Sequence, residues 1–172
     1  MVAVQLGVSL DEAVARLQVY ATATDQRLSD VACSVVERRL QLASPTTVDA
    51  AGNVVMWDLG SGLCVSRQAR GHMSALVTAW GLADDHGDRA LYIMNELVDN
   101  AVDHGGGLLG AAVSDEGHVV KISVLDESPD PPTLRPHNPL AKRGRGLQTV
   151  EALALSWGYV VHDFGKTVWA HL

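Results

Sequence analysis

At 172 residues, with an apolar share of 47% and a formal net charge of −7, the chain has the size and composition of one full domain, or of a domain plus a small module, with an ordinary packed core. The acidic balance argues against broad affinity for nucleic acid or membrane surfaces, while leaving room for a local basic patch. Cys33 and Cys64, the only cysteines, form neither a disulfide framework nor a zinc spacing and predict buried, reduced thiols in a cytoplasmic protein; no run of about 18 apolar residues spans a membrane, and the N-terminus has no signal-peptide pattern.

Residues 1–42 predict two short helices. Ser9 and Glu12 form a capping box, and Leu10, Ala13, Val14, Leu17 and Ala21 follow at helical spacing. A second stripe comprises Leu28, Val31, Ala32, Val35, Val36 and Leu40. Two such helices cannot bury both apolar faces by themselves, so a third element is missing or is borrowed from elsewhere. Residues 43–53, rich in Ser, Pro, Thr and Gly, predict a linker.

The main domain is expected over 54–172. A short strand at 54–58 precedes a helix at 65–80, patterned by Val65, Ala69, Met73, Leu76, Val77 and Trp80 and ended by Gly81. The next helix, 85–104, has a core stripe of Ile93, Leu97 and Ala101 and a polar stripe of Glu96, Asn100 and Asp103, and stops at Gly105-Gly106-Gly107. Asn100 can offer an oxygen to a hard cation such as Mg²⁺, with Glu96 one turn away to polarise a hydroxyl or water; a solvated helix face with an i, i+4 hydrogen bond has the same spacing.

Strands at 108–113 and 119–126 follow. In the second, Val120, Ile122, Val124 and Asp126 share a face, so an apolar face ends in a carboxylate that needs a partner. The exocyclic amino group of an adenine would serve, and so would the turn before Ser128-Pro129. The proline-rich stretch after Pro129 predicts a long lid-like loop. It runs into Arg143-Gly144-Arg145-Gly146-Leu147 at a helix start, where backbone N–H groups, the helix dipole and two arginines suit a phosphate. A hairpin of strands at 157–163 and 166–172 closes the chain. Gly165-Lys166-Thr167 is no P-loop, because position 160 is Val160 and too few residues remain for the required helix.

Two resemblances emerge. Residues 1–42, through Met1-Val2-Ala3-Val4-Gln5-Leu6-Gly7-Val8-Ser9, Asp11-Glu12-Ala13-Val14-Ala15-Arg16-Leu17 and Arg27-Leu28-Ser29-Asp30-Val31-Ala32, resemble the latter part of an ANTAR domain, an RNA-binding antitermination module. The family's long first helix has no counterpart, since Met1 falls where it would be ending; RNA as a partner would require that segment to be completed upstream. Residues 54–172 resemble the ATP-binding domain shared by histidine kinases, gyrases, heat-shock chaperones of the ninety-kilodalton class and MutL, and within it the anti-sigma-factor serine kinases. Glu96-Leu97-Val98-Asp99-Asn100-Ala101-Val102-Asp103-His104 matches the N box. Asp126-Glu127-Ser128-Pro129 and Arg143-Gly144-Arg145-Gly146-Leu147 match the two glycine boxes, and Gly165-Lys166-Thr167-Val168-Trp169 the closing strand.

The resemblance implies an α/β two-layer sandwich of the Bergerat, histidine-kinase-like type: a mixed, largely antiparallel sheet with about three helices on one face and a small N-terminal helical segment. It also implies ATP and Mg²⁺ as cofactors, with Glu96 as general base and Asn100 as metal ligand. Asp126 would accept from adenine, and Gly144, Arg145, Gly146, Leu147 and Thr167 would complete the nucleotide site. The implied function is serine/threonine phosphorylation of an anti-anti-sigma (STAS-type) protein, binding of a sigma factor, or both, in a cytoplasmic transcription-regulating signalling protein; a homodimer fits this class. The alternative is a non-catalytic, nucleotide-responsive module with an ANTAR output. The chain departs from the family pattern where Ser128 and Asp130 hold glycine positions and where Lys166, not Thr, follows the closing-strand glycine.

Overall fold

The structure, a computed structural model, describes residues 1–42, 46–48, 52–57, 64–134 and 145–172. Helices α1 (Val2–Leu6), α2 (Leu10–Ala23) and α3 (Leu28–Val36) come first, then strands β1 (Thr46–Val48) and β2 (Val54–Trp57). Helices α4 (Val65–Trp80) and α5 (Asp84–His104) precede strands β3 (Leu108–Asp115) and β4 (Val120–Asp126). Helix α6 (Gly146–Leu153) and the hairpin β5 (Ser156–His162), β6 (Gly165–His171) end the chain. The strands form one six-stranded sheet in the order β1-β2-β3-β4-β6-β5. Every described pairing is antiparallel, where a mixed sheet was expected. The expected linker at 43–53 contributes the edge strand β1, paired with β2.

Side chains alternate across the sheet and so build two cores. Val55, Trp57, Ala111, Val113, Ile122, Val124, Val168 and Ala170 pack against α4, α5 and α6. The predicted stripe of α5 is central to this core: Ile93, Met94, Leu97 and Val98 are at most 1% exposed, each burial stabilising by about 2 kcal/mol. Gly81, in the left-handed conformation at φ 61°, ends α4 as predicted, and Asp84 and Asp85 place acid in the first turn of α5.

Val54, Met56, Ala112 and Leu125 face the other way and pack against the N-terminal helices. The helical segment is therefore a third layer on the open face of the expected two-layer sandwich. The element it borrows is the sheet itself. Ser9 caps α2 through Glu12 N–H at 3.2 Å, as the capping box predicts. Lying between the sheet on one side and α1 and α3 on the other, α2 is buried almost all round, at Ala13, Ala15, Leu17, Val19, Tyr20, Ala21 and Ala23. Gly110 of β3 makes the approach close: a Cβ there would lie 3.3 Å from Val19 Cγ2. Cys33 and Cys64 are exposed rather than buried; Cys33 lies between the buried positions Val31 and Val35 of α3, and Cys64 precedes α4.

Candidate functional site

Strand alternation carries Asp126 to the end of β4 on the α5 side, where the apolar core meets a cavity of about 240 Å³. Leu97, Val124, Leu147 and Val168 give this cavity apolar walls. Asn100 and His104 enter from the last turns of α5, Gly146 from the first turn of α6, and Asp130 to Thr133 from the start of the proline-rich loop. The polar pair of the cavity is Asp126 and Lys166, which are register partners on β4 and β6. Their side chains are 4% and 7% exposed, and Lys166 Nζ lies 2.9 Å from both carboxylate oxygens of Asp126. Asp126 Oδ1 also accepts from Ser128 N–H at 3.0 Å, and Lys166 donates to Ser128 O at 3.2 Å. The turn expected from Asp126-x-Ser128 thus exists beside the cavity. Burial pushes the Asp126 carboxyl above the usual carboxylate range, against the pull of Lys166 and of Ser128 N–H.

Asp126 needs a neighbour without a side chain. A Cβ on Gly105 would lie 2.6 Å from Asp126 Cβ and Cγ and 2.6 Å from Ala101 O. At φ −90° Gly105 adopts a backbone open to any residue, so it is the room for the carboxylate, not the helix stop, that asks for glycine there. Asp130 N–H donates to the Ser128 hydroxyl at 3.2 Å, so the serine, where the resemblance led to the expectation of a glycine, closes a turn at the cavity mouth.

Of the residues expected at the site, Asn100, Asp126, Gly146 and Leu147 line the cavity together. Gly144 lies outside the described residues, as do residues 135–143 of the expected lid. Arg145 is the exposed N-cap residue of α6 and is not part of the cavity wall. Glu96 stands one turn before Asn100, half-buried against α6, where a Cβ on Gly146 would lie 2.7 Å from Glu96 Oε2. Burial, and secondarily the charge of Asp99, push the Glu96 carboxyl above its usual value of 4.5. Asp99 itself accepts from Ser66 of α4 at 2.5 Å and from Asn95 at 3.0 Å, tying α4 to α5.

Thr167, expected at the nucleotide site, does not line the cavity. Its neighbours in β6, Lys166 and Val168, line the cavity, so its own side chain points to the opposite face. There it is fully buried, with Oγ1 2.9 Å from His162 Nε2. Lys166 takes its place at the site. The signal was available in the sequence: Lys166 alternates in phase with Val168 and follows the closing-strand glycine.

Fold and site together define an α/β protein with an antiparallel sheet and an apolar-walled cavity, floored by an ion pair, at one rim of that sheet. No protein-family model matches the chain, and no curated protein matches it. Among solved structures it is similar to the RsbU and RsbW domains of Rv1364c from Mycobacterium tuberculosis, with a TM-score of 0.53 and 18% sequence identity. That match covers 96% of this chain and 48% of the other, so the chain spans about half the length of the protein it resembles. The likeness is one of fold. None of these comparisons supports the ANTAR resemblance, and among the described residues no helix is long and apolar enough to cross a membrane.

Proposed function

We propose that the chain is an ATP–Mg²⁺-binding bacterial regulator of the anti-sigma-factor serine/threonine kinase type, which phosphorylates an anti-anti-sigma protein, binds a sigma factor, or does both. The observation that carries this reading is the convergence of Asn100, Asp126 and the α6 N-terminus on one apolar-walled cavity, in the order of the family motifs along the chain.

The residues present fit such a ligand. Leu97, Val124, Leu147 and Val168 would cover the faces of a flat base and exclude water. Asp126, buried and still holding acceptor capacity on Oδ2, suits an exocyclic amino group. The first N–H groups of α6 have no intrahelical acceptors and would receive phosphate oxygens. Asn100 offers one carbonyl oxygen, enough for a cation that takes its other ligands from phosphate and water. When bound, ATP supplies the phosphoryl group and Mg²⁺ offsets its charge. Glu96, with its affinity for a proton raised by burial, would take the proton of the accepting hydroxyl.

The test is calorimetric titration of ATP with Mg²⁺, followed by transfer from labelled ATP to a purified anti-anti-sigma protein. Asn100→Ala is expected to weaken Mg²⁺-dependent binding and turnover together. Glu96→Ala is expected to keep affinity and lower transfer by about 10²–10⁴-fold, the scale of a general base. The absence of both binding heat and thermal shift up to about millimolar ATP would sink the reading, and binding without transfer in the wild type would leave a nucleotide-binding module.

A further inference from the structure

We infer that Lys166 is a specificity-determining residue of this cavity, its ammonium donating to the ring nitrogen that adjoins the amino group accepted by Asp126. The inference rests on the nucleotide reading above and deepens it by naming the base edge that the site recognises.

The argument starts from the register of β4 and β6. Asp126 and Lys166 are direct partners, so their side chains leave the sheet side by side on the same face and line the same cavity. An ammonium has three protons. One, shared between the two carboxylate oxygens, accounts for the pair of 2.9 Å distances. A second goes to Ser128 O at 3.2 Å. The third has no acceptor among the described residues. On the other side, Asp126 Oδ1 already accepts from Lys166 and from Ser128 N–H, whereas among the described residues Oδ2 meets Lys166 alone. The pair therefore presents one acceptor position next to one charged donor position, both nearly desolvated.

Adenine is the complement of such a pair. Its amino group at C6 is a donor, and the adjacent ring nitrogen N1 is an acceptor. Guanine in the same orientation offers the reverse, an acceptor at C6 and a donor at N1. A buried ammonium facing an N–H, or a carboxylate facing a carbonyl, leaves both groups unpaired, and such mismatches discriminate far more strongly than shape does. Lys166 also solves a problem of charge. The carboxylate is buried on an apolar rim and a neutral partner would leave it uncompensated, so the ammonium pulls against the burial that raises the carboxyl while supplying the neighbouring donor.

The experiment compares ATP with 1-deaza-ATP, in which N1 is replaced by C–H and the amino group is retained, by calorimetric titration of the full chain with Mg²⁺. Wild type is expected to bind 1-deaza-ATP at least about tenfold more weakly than ATP, the loss of one hydrogen bond from a charged donor, and to bind GTP more weakly still. Lys166→Met and Lys166→Thr are expected to bind ATP and 1-deaza-ATP within about twofold of each other, the residual scatter of a lost neutral contact. Equal binding of the two nucleotides by wild type would overturn the inference while leaving the ATP-binding reading standing, and it needs no variant to fold. A preference for ATP that persists in folded Lys166→Met would overturn it as well, by placing the discrimination elsewhere. Absence of ATP binding by wild type would remove both at once.

Discussion

On the face of the sheet under α4, α5 and α6, the interior is apolar until the rim, where Asp126 and Lys166 stand together over open volume. On the face under α2 the buried polar groups are instead spread along the seam, and several meet the backbone or the end of that helix. Arg16 donates to Leu42 O at 2.8 Å, Ser114 to Ala23 O at 2.8 Å, and Lys121 to Asp25 at 2.5 Å. The exceptions include the Ser123 hydroxyl and His171 Nε2, which are buried without a partner among the described residues, and Thr167, which meets the His162 ring. Burial of polar groups is thus common to both faces, and what separates them is where the spare hydrogen-bonding capacity points. Along the α2 seam much of it is consumed in attaching a helical layer to the sheet. At the cavity it is left over, beside the open volume where the proposed ligand would sit.

The contrast between the two lysine–carboxylate pairs gives the largest expected effect. Asp126→Ala strands a buried ammonium and is expected to cost about 3–5 kcal/mol in chemical denaturation, together with nucleotide affinity. Asp25, by contrast, is 69% exposed although Lys121 is 3% exposed, so only one member of that pair loses solvent, and Asp25→Ala is expected to cost less, about 1–3 kcal/mol. Equal losses would erase the distinction between the faces.

Gly105→Ala probes the same rim without touching charge. The added methyl would collide with Asp126 and with Ala101 O, so a loss of about 1–3 kcal/mol is expected, with weakened nucleotide binding. Unchanged binding in a folded variant would show that the carboxylate has room to move. On the seam, Ser123→Ala removes an unpartnered buried hydroxyl and is expected to stabilise by about 1 kcal/mol; destabilisation would mean that the hydroxyl is paired after all.

The smallest effect is a pH dependence. Because the folded-state pKa of Glu96 lies above its usual 4.5, its contribution to stability is fully present below pH 4.5 and is lost as pH rises through the folded value. Denaturation midpoints of wild type and Glu96→Gln should therefore separate progressively as pH is raised from 4.5, with the wild type losing relative stability. A difference that stays constant over that window would mean that the carboxyl is not perturbed.

Much of the cavity face was legible because its determinants are local and periodic. The stripe of Ile93, Leu97 and Ala101, the alternation ending at Asp126, the glycine stops and the start of α6 before Leu147 are all set within a few residues along the chain. Thr167 shows the limit of that reading. A motif fixes a position only to within a residue, and in a strand one residue is the difference between two faces.

By itself, the sequence determined the order of helices and strands and the gathering of Asn100, Asp126, Gly146 and Leu147 into one site, since periodicity and turn chemistry act over short spans. The capped start of α2 and its stripe of Leu10, Ala13, Val14, Leu17 and Ala21 were equally plain. The tertiary structure decided what α2 covers, because an apolar helix face specifies that it must be buried but not against which surface. It also decided that Lys166 pairs with Asp126 and that Gly105 makes room for the carboxylate. Those contacts join residues 40 and 21 positions apart along the chain, and only the register of β4 against β6 and the crossing of α5 over the sheet bring them within reach.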